Sequence, residues 1–269
     1  AVPHSALTIA STLAWGLGYF GMPHVLLRFM GIENENKLKL SRRVATTWVV
    51  ISLAVAVLIG VVGLGMTAAG EFDLLEGSAS ETIIVQIANL LSQHGVIAAI
   101  LAGLILAGIL ASTMSTADSQ LLAASSAVSS DLLGDFLKKK TGKKGSMFAD
   151  RMTLLIIALV AVFLARDPNS SVFNIVSFAW AGFGAVFGPV VLFALFWKRS
   201  NWQGALAGMI SGGAMVFIWK YLVRPLGGAW DIYELLPAFL VSALAIVIVS
   251  LATKAPSEEI CREFDSVRK

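Results

Sequence analysis

Two scarcities limit what this chain of 269 residues can be. Charged residues make up only 14% of it, whereas a soluble globular domain carries about 25%, so the chain lacks the charge to cover a surface exposed to water. It also has a single cysteine, Cys261, and three histidines without metal-ligand spacing, His4, His24 and His94. A disulfide framework and a cysteine-based metal site are therefore excluded.

Hydrophobic residues, in contrast, make up 57% of the chain, and its mean hydropathy is +0.80. They fall in blocks long enough to cross about 30 Å of hydrocarbon, which takes about 20 helical residues. We therefore expect an all-α fold, a polytopic transmembrane helical bundle in a lipid bilayer, and no nucleic-acid partner at a net charge of only +3. The seven predicted spans are roughly 5–30, 42–66, 96–119, 148–166, 170–197, 202–222 and 234–253.

The basic residues predict how these spans are oriented. Seventeen of the 20 Lys and Arg residues lie in alternate connecting segments, namely 28–43, 138–151, 198–199 and the tail after 253. Cytoplasmic segments carry this excess in membrane proteins, so the N-terminus is expected outside and the C-terminus inside. The domain prediction is a transmembrane domain over 1–253 and a cytoplasmic tail over 254–269.

The outer segment 67–95 is predicted to contain a short helix. Ser78 and Glu81 have the spacing of a capping box, apolar residues recur at helical intervals from Ile84 to Leu91, and His94-Gly95 can end the helix. A helix of about a dozen residues cannot span the bilayer. It is either a gate over the outer mouth or an element that packs on the bundle.

The third span carries a polar cluster in an otherwise apolar, charge-free run. Ser112, Ser115 and Thr116 stand at i, i+3 and i+4 and share one helix face. Two hydroxyls and the Ser112 carbonyl are the oxygen ligands that Na⁺ prefers, although a partner helix has to supply the rest. The alternative is that these hydroxyls only bond their own helix or a neighbour. Asp118, near the span end, is either functional or simply solvated.

Two spans contain residues that break helices. Span one has Gly16, Gly18, Gly21 and Pro23, and span five has Gly182, Gly184, Gly188 and Pro189. Interrupted spans indicate a transport site or hinge. Trp15 and Tyr19 lie beside the first break at i and i+4, where their rings could line a pocket for a small zwitterion; the alternative is an interfacial aromatic belt.

Three motifs in the same order resemble the sodium:solute symporter family and, within it, the sodium/proline symporters. They are WGLGYFGMPH from Trp15, STADSQLLAASSAVSSDL from Ser115 and GPVVLFALFWKRSNWQGALAGMISG from Gly188. The resemblance covers essentially the whole chain. Met22 departs from it, because proline symporters often have Gln there, and Ser112 stands where Ala is frequent.

This resemblance implies a LeuT-type core of ten helices in two inverted repeats, of which spans one to five are helices six to ten, with two additional helices after them. It implies Na⁺ binding by the hydroxyls of Ser115 and Thr116 and the carbonyl of Ser112, and substrate contact by Trp15, Tyr19 and Pro23. The implied function is Na⁺-coupled symport of L-proline by alternating access in a plasma membrane, the inner membrane of a bacterium, without an organic cofactor.

The chain begins with Ala1 rather than Met, and the resemblance places it in the second half of such a transporter. We therefore expect a fragment that lacks the N-terminal half of the same protein and cannot transport alone. Other solutes remain open: pantothenate, another amino acid or a short carboxylate. A passive channel or a non-transporting membrane sensor is the alternative of a different class. No enzyme constellation is visible, and the last span lacks the Lys of a retinal protein.

Overall fold

A computed structural model describes residues 5–128, 143–166 and 171–267, and the described residues form ten α-helices and no β-strand. The all-α prediction is confirmed. In chain order the helices are α1 (Ala6–Gly18), α2 (Pro23–Met30), α3 (Leu38–Ala68), α4 (Ile83–Ser92), α5 (Val96–Ser126), α6 (Lys143–Leu164), α7 (Val172–Phe196), α8 (Trp202–Ile218), α9 (Leu235–Ala252) and α10 (Glu258–Val267).

Five helical stretches among the described residues are long and apolar enough to cross a membrane. They are Glu35–Ala68, Val96–Ser126, Val172–Phe196, Trp202–Leu226 and Leu235–Ala252. The other two predicted spans have a different form. Span one consists of the two shorter helices α1 and α2, and the apolar part of span four is only Arg151–Leu164. Five basic residues that predict the orientation lie outside the described residues: Lys138, Lys139, Lys140, Arg268 and Lys269.

The chain folds into two compact units, of which the first comprises residues 1–31 and 173–269. Its core is built from small and aromatic residues of α1, α7 and α9, including Ala14, Ala181, Ala185, Ala238 and Phe239. Small residues allow helices in a membrane to approach closely, which lets dispersion contacts hold them together. The core of this unit thus follows from the Ala- and Gly-rich composition of its helices.

The helices α8 and α9 pack along a glycine face. Gly204, Gly208 and Gly212 recur every fourth residue of α8 and are buried. A Cβ atom on any of them would overlap α9 or α7, as at Gly208, where it would meet the Ile246 side chain. The sequence therefore places glycine where the two backbones come closest.

Polar side chains join the loop between α7 and α8 to the end of α9. Arg199 donates from Nη2 to the Thr253 carbonyl at 2.7 Å, and Asn201 donates from Nδ2 to the Lys254 carbonyl at 2.8 Å. Both acceptors lie immediately after the last residue of α9, at its C-cap and the residue that follows. Lys198 also forms an ion pair with Asp265 of α10. The start of α8 and the chain after α9 thus lie at the same end of this unit.

The second unit, residues 32–172, is built on the two long helices α3 and α5. The short helix α4 packs on both, and its Ala88 is only 1% exposed. This confirms the short helix but not its predicted start. Residues Gly77–Thr82 form a 3-10 helix, and α4 begins at Ile83 without a side-chain cap. The predicted capping box is wrong, because the Glu81 carboxylate accepts bonds from Ser171 Oγ and the Val172 amide instead.

Candidate functional site

The hydroxyl cluster of the second unit lies on an uninterrupted helix. Helix α5 runs for 31 residues, and Ser112, Ser115 and Thr116 fall within about 100° of its circumference. All three are exposed in the structure. The helix backbone therefore places these three residues on one face, as predicted.

The hydroxyls of this helix bond to their own backbone. Thr116 Oγ1 donates to the Ser112 carbonyl at 3.2 Å, Thr113 Oγ1 to the Ile109 carbonyl and Ser119 Oγ to the Ser115 carbonyl. A carbonyl oxygen has two lone pairs, and the Ser112 carbonyl already accepts the Thr116 amide within the helix. Both of its lone pairs are therefore engaged, and the Thr116 hydroxyl has to rotate away before this carbonyl can bind a cation.

A Thr hydroxyl that donates a hydrogen bond keeps lone pairs of its own. The Thr116 oxygen can therefore still act as a ligand while it holds the Ser112 carbonyl. No group of three or more His, Cys, Asp or Glu side chains within the described ranges could hold a metal ion. The side-chain ligands that Ser115 and Thr116 offer are neutral hydroxyl oxygens, which are hard ligands.

The break predicted for span one is present in the first unit. Helix α1 ends at Gly18, residues Tyr19–Gly21 form one 3-10 turn, and Met22 is extended at φ −84° and ψ 113°. Pro23 then opens α2. A residue before proline is pushed out of the helical region, and proline is well suited to the first helical position. The Met22-Pro23 pair is thus the local cause of the break.

Aromatic rings cluster on the α1 side of this break. The Trp15 ring stacks almost parallel to three rings, those of Phe173, Trp180 and Tyr233, at centroid distances of 5.5, 5.5 and 5.8 Å. The Trp180 indole nitrogen donates to the Trp15 carbonyl at 3.0 Å. Trp15 is half-buried as a result, so only part of its ring is open to a ligand.

The two other predicted substrate residues are more open. The Tyr19 side chain is 52% exposed and meets the Trp180 ring edge-on at 4.8 Å. Pro23 is exposed on the far side of the break. The structure thus brings Trp15 and Tyr19 together on Trp180, while Pro23 shapes the backbone beside them.

The predicted hinge glycines divide into two groups by their surroundings. A Cβ atom on Gly18 would overlap the Trp180 indole, and one on Gly184 would lie 2.7 Å from the Gly18 Cα atom. Gly21 and Gly188 face similarly close neighbours, the Phe183 backbone and the Phe239 ring. Gly16 and Gly182 have nothing within 4 Å. Close packing of the first break on α7, and of α7 on α9 at Gly188, accounts for the first group, and a hinge role stays a prediction.

The interruption predicted for span five is wrong. Helix α7 continues from Val172 to Phe196 with Pro189 inside it. Proline removes one backbone bond, the one that the Ala185 carbonyl would otherwise accept. That carbonyl lies against Gly212 of α8, where a Cβ atom would be 2.5 Å from its oxygen. The neighbouring helix covers the freed carbonyl closely, and the helix is not broken.

A buried polar group in the connection between α8 and α9 is not among the residues predicted from the sequence. Glu234 is 1% exposed and pairs with Arg224 at 2.9 Å and with Lys220 at 3.7 Å. Its neighbour Tyr233 is 8% exposed and lies in the aromatic cluster. In the sequence, the indication of this group is that two basic residues and a glutamate lie close together near the ends of two spans. Buried charges need partners, so such a grouping can form an ion pair.

Comparison with known proteins gives a consistent result. The model of a family described as "Sodium:solute symporter family" matches residues 2–212. The chain is 40% identical to a "Sodium/proline symporter" of Haemophilus influenzae over 98% of its length and to one of Escherichia coli over 96%. It is 41% identical to the "High-affinity proline transporter PutP" of Bacillus subtilis over 97%.

These matches cover only part of the relatives. The chain spans 51%, 50% and 53% of the three proteins, which is about half the length of the curated relatives it matches. No solved structure matches the chain.

Proposed function

The chain belongs to the sodium:solute symporter family, and from this premise we propose that it forms the second half of a Na⁺-coupled symporter for L-proline. It is a multi-pass integral membrane protein, and its bacterial relatives indicate the plasma membrane. The observation that carries the proposal is an identity of about 40%, over nearly the whole chain, to transporters that are named for sodium and proline. The role is transport rather than catalysis.

We propose the LeuT-type arrangement for this half. The pair α1 and α2 is the interrupted sixth core helix, α7 is the tenth, and α8 and α9 lie outside the core. The N-terminus is outside and the C-terminus is cytoplasmic. Contacts at the ends of the helices support this alternation. Glu81 bonds to Ser171, and Lys198 pairs with Asp265, so each pair joins two segments that are predicted to lie on the same side.

The break between α1 and α2 supports a zwitterionic solute. The carboxyl end of α1 and the amino end of α2 meet there, and helix ends carry partial negative and partial positive charge respectively. An ammonium group is favoured at the first and a carboxylate at the second, with the rings of Trp15 and Tyr19 beside them. L-proline has both groups and a small apolar ring.

Na⁺ is the second cargo, and we propose Ser112, Ser115 and Thr116 as part of its site. They offer two hydroxyls, and one carbonyl once the Thr116 hydroxyl rotates away from it, which is too few oxygens to replace a hydration shell. The remaining ligands would come from the N-terminal half of the same protein. This division of the site accounts for hydroxyls that stay exposed on α5 in the structure of this half.

Uptake of radiolabelled L-proline by the full-length protein that contains this chain tests the function. Proteoliposomes with an inward Na⁺ gradient should accumulate proline, and those without one should not. Flux that ignores the gradient would indicate a passive channel, and no flux of any solute would indicate a sensor. Excess pantothenate, other amino acids or short carboxylates should compete poorly with proline uptake. Strong competition by one of them would contradict the assignment of proline as the preferred substrate.

A threonine pair on α5 tests the Na⁺ site. Thr116→Ala should raise the Na⁺ concentration for half-maximal uptake about tenfold, since an oxygen contact to a charged group is worth about 1.5 kcal/mol and about 1.4 kcal/mol corresponds to a factor of ten. Thr113→Ala is the matched control, because Thr113 makes the same bond to its own helix but lies off the proposed face. Thr116→Ser should retain most of the Na⁺ affinity. Equal effects of the two alanine variants would contradict the assignment.

A further inference from the structure

The connection between α8 and α9 folds back onto helices that carry the proposed substrate site. It runs from Trp219 to Glu234 in the first unit. Within it, Tyr233 is buried and touches both α1 and α7, although neither helix is near it in sequence. Because Tyr233 contacts both helices, it can influence how α1 packs on α7.

Tyr233 makes one polar contact with each of the two helices. Its hydroxyl donates to the Ser177 carbonyl of α7 at 2.6 Å, and its amide donates to Ser11 Oγ of α1 at 3.0 Å. Burial raises the pKa of the Tyr233 phenol, and the Glu234 carboxylate raises it further. The hydroxyl therefore keeps its proton and remains a donor throughout the physiological range.

The third contact of Tyr233 is with the proposed substrate residue itself. Its ring stacks on Trp15 at 5.8 Å with an angle of 18° between the planes. Because Trp15 also stacks on Phe173 and Trp180 of α7, the rings fix the plane of the indole. Tyr233 is the member of this group that comes from outside α1 and α7.

The loop that carries Tyr233 is itself held in place. Arg224 bonds to both Asp231 and Glu234 at 2.9 Å, and the Trp219 indole donates to the Ile232 carbonyl at 3.1 Å. Glu234 is almost wholly buried, and a buried carboxylate that loses its cation is strongly unfavourable. These bonds make the loop a rigid support rather than a mobile cover.

We propose that Tyr233 is a positioning residue that sets the orientation of Trp15 and the packing of α1 on α7, so that the connection before α9, outside the ten-helix core, helps determine substrate affinity. The inference rests on the proposed function, because it assumes that Trp15 contacts the solute. The residue acts through Trp15 and need not touch the substrate itself.

Conservative substitution separates positioning from general support of the fold. Tyr233→Phe keeps the ring and loses only the bond to Ser177, so the KM for proline should rise about fivefold, the factor for one hydrogen bond. Tyr233→Leu also loses the stacking and should raise the KM further. The Na⁺ concentration for half-maximal uptake and the amount of protein in the membrane should stay the same. Tyr221→Phe is the control, since Tyr221 is 60% exposed and stacks on Phe217 instead.

A second measurement does not depend on the identity of the solute. Hydrogen–deuterium exchange of the purified protein, followed by mass spectrometry, should speed up across residues 6–18 in Tyr233→Leu and not in Tyr221→Leu. An unchanged exchange rate in α1 would overturn the proposal even if proline uptake is found. Faster exchange without any proline uptake by the wild type would support the positioning role and reject the substrate. An unchanged KM with reduced protein levels would assign Tyr233 to stability alone.

Discussion

Gly16 and Gly18 lie two residues apart on α1, yet their surroundings differ. Gly18 is buried, and its Cα atom faces the Trp180 indole with no room for a methyl group. Gly16 is exposed with open space around it. At Gly18 the missing side chain is what allows α1 to lie on α7, whereas at Gly16 it serves no packing purpose in this unit.

Alanine substitutions at these two positions should therefore act in opposite directions. Gly18→Ala forces the Trp180 ring or the whole helix to move, and overpacking of this kind costs about 1–3 kcal/mol. Gly16→Ala gains up to about 1 kcal/mol, because alanine favours the helical state over glycine. Thermal unfolding of the purified protein in detergent should show a lower midpoint for the first variant and an equal or higher one for the second. Matching midpoints would argue against the close contact.

At the scale of elements, α7 keeps its course through a proline while the carbonyl that this proline frees lies against α8. The Ala185 carbonyl freed by Pro189 faces the glycine face of α8 at Gly212. A backbone carbonyl cannot relieve a steric overlap by changing rotamer, as a side chain can. Glycine at position 212 leaves the space that this carbonyl occupies at the interface.

Two adjacent glycines of α8 offer a comparison at this interface. A methyl group at Gly212 would lie 2.5 Å from the Ala185 oxygen, whereas one at Gly213 would lie 3.3 Å from a terminal methyl of Val186. Gly212→Ala should lower the stability by about 1–3 kcal/mol, and Gly213→Ala should be nearly neutral. Urea or thermal unfolding of both variants checks this. A Gly213 variant as unstable as the Gly212 variant would contradict the explanation.

Local sequence signals predicted some of these elements and not others. The Met22-Pro23 break follows from the steric effect of proline on the preceding residue, which acts within two residues. The continuity of α7 through Pro189 could not be predicted, because a proline inside an apolar run is compatible with a broken helix and with a continuous one. The start of α4 differs from the prediction because Glu81 bonds to residues about ninety positions away.

Some residues of the candidate site could likewise be predicted from the sequence, and others could not. Residues that are polar or aromatic where a span should be apolar, such as Thr116 and Trp15, stand out in the sequence by their type alone. Tyr233 does not stand out, because a tyrosine in a connecting loop needs no explanation. Only its bonds to Ser11 and Ser177 reveal that it joins two helices.

At the scale of the whole molecule, the orientation in the membrane can be tested on the native cysteine. Cys261 lies in α10, which is predicted to be cytoplasmic, and is partly exposed. With any other cysteines of the full-length protein removed, a membrane-impermeant maleimide should label Cys261 in inside-out vesicles and not in intact cells.

The matching position on the other side is Asp73, which is exposed in the predicted outer segment. In a Cys261→Ser background, Asp73→Cys should be labelled from outside in intact cells. Labelling of Cys261 from outside would reverse the proposed topology. Labelling of both cysteines from the same side would mean that the number of membrane crossings between them differs from the prediction.

The length of α5 has a consequence for hydration. Its 31 residues extend for about 46 Å, while the hydrocarbon is about 30 Å thick and helices tilt by about 20° on average. With Val96 at one edge, the level of Asp118 is already about 31 Å away, at the opposite edge. A cation that leaves the proposed site at Ser115 and Thr116 would therefore regain bulk water within one helical turn, with the carboxylate of Asp118 at the exit.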